Sequence, residues 1–408
     1  MHTEYWIKNL LLESGYEFEG EEIVSTQTQR CHVRIKDGKF AEIIAANVPL
    51  HTELPNYDAG GLLLLPAFRE MHIHIDKTYY GGPWKAVRPA TKGIFTRIEE
   101  EKVLLPSQLP VARERAEHLL ELVLKNGSTH VRTHCNIEPT SGLRNLEATL
   151  QALETYRDRV TYEIVAFPQH GLLHSDSVEL VREAMRSGAT LVGGLDPATV
   201  DGNIEASLDA MVQLAVDANA GIDMHLHDGG QLGVFTMRRL AAMVREIGWQ
   251  GRVTISHGFG LAGVPTHVAG EMADLFAELG ISLATTVPIG TMNMPLPLLH
   301  ERGVNVMFGQ DSITDHWSPF GTGDNLERAS VFAELYGWRT ERKLAEALGF
   351  ITGGVLPLDH QGDRVWPKVG DDASCVLTEA SCSSEAVARR SLRKAVLHQG
   401  NVAWGCLE

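Results

Sequence analysis

Eight apolar runs of strand length recur along the middle of the chain, often with helical patterns between them. They are "GLLLLPAFREMHIH" (61–74), "THVRTHC" (129–135), "TYEIVAFPQ" (161–169) and "ATLVGGLDP" (189–197). "GIDMHLHD" (221–228), "RVTISHG" (252–258), "ISLATTVP" (281–288) and "VNVMFGQDS" (304–312) follow. In "PVARERAEHLLELVLKNG", Ala112, Ala116, Leu119, Leu120 and Val123 keep helical spacing, and Asn126-Gly127 stops the helix. Strands apolar on both faces, alternating with helices, imply a parallel sheet covered by helices. Eight such units in about 250 residues fit a closed (β/α)8 barrel of the TIM type. The alternative is a doubly wound open sheet, but no glycine-rich phosphate turn follows the first strand.

The two ends of the chain read differently. Residues 5–60 form short strands and turns, with Asp37-Gly38 in "HVRIKDGKFAEIIAA" as a hairpin signal. "GDDASCVLTEA" and "LRKAVLHQGNVAWG" resume that style near the C-terminus, the latter turning at Gly400-Asn401. The expected architecture is an α/β chain: a barrel over residues 61–355, with a small β-sandwich-like domain built from both termini, 1–60 and 356–408. No fixed-period repeat or low-complexity segment interrupts it.

Charge narrows the partners. Across 408 residues the formal net charge is −16, from 36 basic and 52 acidic residues. That balance argues against nucleic acid, which needs a basic face, and against an anionic membrane. "MHTEYWIKNLLLESGYEFEGEE" lacks the basic start and long apolar core of a signal peptide. No apolar run is long enough to span a bilayer. The five cysteines include no Cys-x-x-Cys pair, which points to reduced thiols and a cytoplasmic protein.

Polar residues gather at the C-terminal ends of the runs: His72 and His74 on the first, Gln169-His170 on the third, His225, His227 and Asp228 on the fifth, His257 on the sixth and Asp311 on the eighth. In a (β/α)8 barrel these ends share one mouth. Residues two apart on a strand share a face, so His72 and His74 can both point to the axis. With His225 and Asp311 they make three imidazoles and a carboxylate, leaving a position for water. That set suits one catalytic divalent ion, zinc first, with iron(II) or manganese also compatible. Any one of these histidines taken alone reads as a hydrogen-bonded core residue; their coincidence at one mouth is what favours ligation.

The stretches "PAFREMHIHIDKT", "THVRTHCNIEP", "IVAFPQHG", "LVGGLDPAT", "IDMHLHDGG", "GRVTISHG" and "FGQDSITDHWSPFGTGDN" resemble the amidohydrolase superfamily, in its cytosine deaminase-like branch. Within that branch the likeness is to cytosine deaminases and, more closely, to N-isopropylammelide isopropylaminohydrolases. The resemblance implies a mononuclear site on His72, His74, His225 and Asp311. It implies that His257 touches the hydrolytic water or the attacked group, and that Gln169 hydrogen-bonds a ring substrate. It also implies a homo-oligomer. No lysine stands at the end of the fourth run for carbamylation. Two departures bear on substrate. Cytosine deaminases carry a glutamate three residues after the fifth-strand histidine, where this chain has Asp228, preceded by His227. Their paired aspartates on strand 8 are here Asp311 and Ser312, which speaks against cytosine itself.

The resulting expectation is hydrolytic removal of ammonia or a small amine from a small, neutral nitrogen heterocycle. Asp311 would accept the water's proton, His257 would orient the water, and Asp228 or His227 would shuttle a proton to the leaving amine. The alternatives are a cyclic amidase using the same metal, and a non-catalytic barrel. Lys77 reaches either a ring oxygen or a nearby carboxylate such as Asp76, or is merely solvated. Arg132 and His134 share a face of strand 2, as support for the ligands or as an inward ion pair. Tyr79–Pro106 reads as a long loop over the mouth, with Trp84, and Trp317 from "DHWSPFG", as ring-facing walls.

Overall fold

The computed structural model describes residues 4–290 and 292–407. The eight barrel strands are β1 (Phe68–Ile73), β2 (Ser128–Asn136), β3 (Thr161–Phe167), β4 (Leu191–Leu195), β5 (Gly221–Leu226), β6 (Val253–His257), β7 (Ser282–Thr285) and β8 (Val306–Phe308). They pair in parallel and in sequence order, β1 with β2 through to β7 with β8. Helices between them cover the outside. In Ala112–Lys125, Ala112, Ala116, Leu119, Leu120 and Val123 are all buried, as the spacing requires. Each such leucine contributes roughly 1.5–3 kcal/mol by leaving water. Gly127 then turns the chain at φ 101°, where a Cβ would lie 2.7 Å from the Phe68 ring.

No regular ladder joins β8 to β1. The barrel closes through backbone bonds beyond β8: Asp311 N–H to the His72 carbonyl at 2.7 Å and His74 N–H to the Asp311 carbonyl at 3.3 Å. Gly309 permits this approach, since a Cβ there would sit 2.5 Å from the His72 nitrogen.

The second sheet draws on both termini. Its strands run in the order Asn401–Gly405, Arg393–His398, Cys375–Thr378, Leu63–Pro66, Glu4–Glu19, Glu22–Lys36, Lys39–Ala45, with Asn56–Asp58 beside Glu4–Glu19. Around Leu10, Val33, Phe40, Leu64 and Leu397 it encloses its own core.

Three sequence expectations are corrected. The run 61–74 is two strands, not one. Ala67 N–H goes to the Ser374 carbonyl and Phe68 N–H to that of Gly127, so the chain changes sheets between consecutive residues, just past Pro66, which has no N–H to give. The last hairpin turns at Gln399-Gly400, one residue earlier than read. Both residues have positive φ (46° and 73°), as a two-residue hairpin turn of the primed type demands. The stretch Tyr79–Pro106 is not all loop, because its second half enters the helix Ile94–Gln108. Among the described residues, no helix is long and apolar enough to cross a membrane.

Candidate active site

The strand ends carry their functional side chains on strained backbone. Asp196 (φ 37°), His257 (φ 68°) and Asp311 (φ 59°) all stand in the left-handed region. Such conformations cost of order 1–3 kcal/mol each and persist where surrounding structure imposes them. Here they turn the side chains into the mouth just where each strand ends.

His72, His74, His225 and Asp311 offer ligand atoms that all lie within 4.8 Å of one another. Asp311 Oδ1 is 3.1 Å from His74 Nε2 and 3.5 Å from His72 Nε2. The three imidazoles are buried, yet His72 Nε2 and both ring nitrogens of His225 have no hydrogen-bond partner among the described residues. Sealed, unpaired nitrogens converging on a carboxylate are costly without a cation, so the donor set fits a divalent ion of zinc type. Burial, with the charge of neighbouring rings, pushes the His225, His134 and His257 imidazoles well below the usual histidine range. They are therefore neutral, as ligands and acceptors must be. At Asp311 burial works the other way, but the His72 and His74 imidazoles beside it, with His257, outweigh it and hold the carboxyl well down.

A relay behind His72 fixes its ring. His72 Nδ1 is 2.8 Å from Ser256 Oγ, and Ser256 donates to Asp223 Oδ1 at 2.6 Å. Asp223 Oδ2 in turn accepts from Arg132 at 2.9 Å. The serine proton is spent on the carboxylate, so His72 Nδ1 must carry the proton and Nε2 the lone pair. Arg132 thus serves both sequence readings, an inward ion pair that also supports a ligand. His134 instead packs its ring 4.1 Å from that of His72.

On the other side, His257 Nε2 is 3.9 Å from Asp311 Oδ2 and otherwise unpaired. The His227 ring lies 4.4 Å from that of His257. Asp196, which the sequence reading passed over, holds it: Oδ2 accepts from His227 Nδ1 at 2.8 Å, and Oδ1 takes the His227 and Asp228 amides. Burial lowers His227, but the Asp196 bond and the nearby carboxylates outweigh it, and the imidazole is raised. Asp228 accepts from Thr199 on Oδ1, and its buried Oδ2 has no partner among the described residues.

Lys77 is fully buried, so its solvated reading fails. Its ammonium donates to Gln169 Oε1 (2.6 Å), Asn136 Oδ1 (3.1 Å) and Glu101 Oε1 (3.1 Å). Its carboxylate partner is thus Glu101, not Asp76, which accepts instead from the Asn136 amide. Glu101, on the mouth-covering helix Ile94–Gln108, also gathers His170, His316, Asn136 and Trp317. Burial opposes its charge, yet Lys77, His170 and His316 hold the carboxyl well below its ordinary range. Trp317 and Gln169 therefore join this Lys77–Glu101 cluster, and Ser312 is buried beside Asp311. Trp84 does not: it is 71% exposed on the preceding loop. A separate cavity of about 770 Å³ opens between that loop and the helix, lined by Tyr79, Phe95 and Leu104, and of the Glu101 partners it touches His316.

A closed parallel barrel with neutral imidazoles, a carboxylate and a second histidine–aspartate pair at its mouth defines a class, the barrel hydrolases built around a divalent cation. The chain belongs to the amidohydrolase family, whose model matches residues 56–403. It is 49% identical over 403 residues to the uncharacterized protein YahJ of Escherichia coli (strain K12), covering 98% of this chain and 88% of that one. Among solved structures it is similar to N-isopropylammelide isopropylaminohydrolase from Burkholderia multivorans, with a TM-score of 0.85, 29% identity and 98% of each chain covered. It is also similar to 5-methylcytosine deaminase from Klebsiella pneumoniae, with a TM-score of 0.80, 25% identity and coverage of 98% and 97%. The protein is accordingly a hydrolase of carbon–nitrogen bonds outside peptides, of the deaminase and aminohydrolase type.

Proposed function

We propose that the protein hydrolytically removes an alkylamine or ammonia from a neutral nitrogen heterocycle of the N-alkylammelide or cytosine type. The observation that carries this reading is the set of sealed, unpaired imidazole nitrogens of His72 and His225 facing Asp311, one strand end from the His227–Asp196 pair. His72, His74, His225 and Asp311 would hold the ion, zinc by donor chemistry. A divalent ion held there lowers the pKa of a bound water from 15.7 towards about 7.

The chain's own groups do the rest. Asp311 keeps Oδ2 towards His257, where it can take the proton of the attacking water. His257, neutral and with Nε2 unpaired, can orient that water or polarise the ring atom attacked. The leaving amine needs a proton. His227 and Asp228 are both placed to give it. His227 Nδ1 is anchored on Asp196, which leaves the other ring nitrogen to exchange, and Asp228 is held through Oδ1 by Thr199, which leaves Oδ2. Ser312 in place of a second carboxylate, and the shorter Asp228, favour the N-substituted ring over cytosine.

The test is a screen for amine or ammonia release from pyrimidines, s-triazines, pterins and creatinine-like rings, with acyclic and phosphorylated amines and amides alongside. It should use protein stripped with a chelator and then reloaded with zinc, iron(II) or manganese. Release that returns only with metal supports the reading. Ring opening without free amine would make the protein a cyclic amidase instead. A clean hit on an acyclic or phosphorylated compound would overturn it.

A further inference from the structure

Lys77 has three N–H donors, and the structure gives each an acceptor: Glu101 Oε1, Asn136 Oδ1 and Gln169 Oε1. No proton on this ammonium is left for a substrate. Its effect on the pocket must pass through the groups it touches. A lysine can only donate, so the oxygen of each bound amide must face it. Asn136 agrees, since its Nδ2 is turned to Glu101 Oε2 at 2.9 Å. Gln169 is fixed in the same sense, and among the described residues no hydrogen bond occupies its amide nitrogen. That nitrogen is the part of Gln169 available for recognition. Glu101 also takes the Trp317 indole N–H at 3.2 Å, so this tryptophan offers a ring face rather than a donor.

We propose that Glu101 is a positioning residue which, through Lys77, sets the hydrogen-bond polarity of the recognition face, so that Gln169 presents N–H to an acceptor on the substrate ring. The inference rests on the heterocycle reading above and names its substrate more closely: a ring bearing an exocyclic oxygen at the edge that meets Gln169. Without Lys77 the amide is free to turn over and offer its oxygen. Without the Glu101 carboxylate, Lys77 loses its one carboxylate hydrogen bond and is drawn towards the remaining charges of Asp76 and Asp315, with the same consequence for Gln169. Five donors converge on this one carboxylate: Lys77, His316 and Trp317 on Oε1, and Asn136 and His170 on Oε2. The polarity is thereby tied to the seating of the helix Ile94–Gln108 over the mouth.

The experiment measures equilibrium binding, not turnover. Its two probes are cyanuric acid, whose exocyclic atoms are all acceptors, and melamine, whose exocyclic groups are all donors. Metal-loaded wild type, Lys77→Met and Glu101→Gln are compared by calorimetry, with melting curves and metal content confirming that each is folded and loaded. Wild type is expected to prefer cyanuric acid by about tenfold or more, since an unpaired buried donor is heavily penalised. In Lys77→Met and Glu101→Gln that preference should shrink to about threefold or less, with metal content unchanged. An unchanged preference in both variants overturns the proposal, as does an equal loss of both probes. If wild type binds neither ring, or prefers melamine, this inference falls, while the heterocycle reading stands or falls on the release screen above.

Discussion

Replacing Ser256 with alanine should weaken metal binding at least about tenfold while leaving the protein folded. Ser256 stands between His72 Nδ1 (2.8 Å) and Asp223 Oδ1 (2.6 Å), and Asp223 is ion-paired to Arg132 at 2.9 Å. Losing the hydroxyl frees the His72 tautomer, but that alone is worth only RT ln 2, about 0.4 kcal/mol. The larger effect is the loss of the acceptor that orients the ring and makes Nε2 more basic. Removing such a partner of a ligating histidine typically costs 10–100-fold in metal affinity, roughly 1.4–2.7 kcal/mol. The fold loses one donor to a carboxylate that keeps Arg132, a cost of about 1 kcal/mol and at most about 3. The assay is zinc competition against a chromophoric chelator, paired with melting curves of apo and loaded protein. A control separates the two effects. Thr254→Val removes an Arg132 contact (3.0 Å) while leaving His72, Ser256 and Asp223 joined, so it should lower stability and leave zinc affinity alone. A Ser256→Ala protein that is folded and binds zinc within about twofold of wild type would refute the relay argument.

Two further perturbations have worked directions. Gly309→Ala places a Cβ 2.5 Å from the His72 nitrogen and 2.6 Å from its Cβ, so β1 and the chain after β8 must separate. A stability loss of about 1–3 kcal/mol and substoichiometric metal are expected, and a fully loaded variant melting like wild type would show that the closure tolerates the atom. Glu13, buried against Ser383, has its pKa raised to about 7, chiefly by burial, with Glu341 adding and the Ser383 bonds opposing. A raised carboxyl stabilises the fold below about pH 4.5, and that contribution is lost as pH climbs through about 7, with a total of order 3 kcal/mol. Glu13→Gln should thus match wild type near pH 5 and be more stable at pH 8; equal denaturant midpoints at both pH values would exclude a charged, strained Glu13.

What could be read from the chain and what could not divides along physical lines. His72, His74, His225, His257 and Asp311 were legible because a barrel sends every strand end to one mouth, and the strands declare themselves by apolar runs. Glu101 was not. The buried face of its helix is Arg97, Ile98, Glu101, Leu105 and Gln108, which has helical spacing but carries polar side chains, so no hydrophobic period marks it. Reading "GGLDP" only for a missing lysine hid Asp196, whose role depends on a left-handed backbone angle that sequence does not display. Trp84 reads as a pocket wall because it follows the Gly81-Gly82-Pro83 break in a 28-residue stretch at the mouth, but nothing in that stretch says which way the ring faces, and it stands in solvent. Lys77 looked ambiguous because its partners, Glu101, Asn136 and Gln169, come from three later elements.

The way the barrel closes makes stability and chemistry inseparable here. Seven of its eight strand junctions are ordinary parallel ladders. The eighth is made by the backbones of His72, His74 and Asp311, three of the four candidate ligands. Those peptide groups already hold the ring nitrogens and the carboxylate oxygen within 3.1–3.5 Å, so little loop or side-chain ordering remains to be done when a cation arrives. The same economy has a cost. Any side chain added at Gly309, or any slip of β8 against β1, moves a ligand and opens the seam together. A cation bound across the seam should in turn tighten the closure, because it binds the closed barrel and not the open one. Substrate specificity is therefore free to vary only where the seam is not involved. Gln169 and Glu101 lie there, at the end of β3 and on the mouth-covering helix, whereas Lys77 and Trp317 follow the seam segments themselves, which stay joined past the ligands by Tyr79 N–H to the Thr314 carbonyl at 2.7 Å.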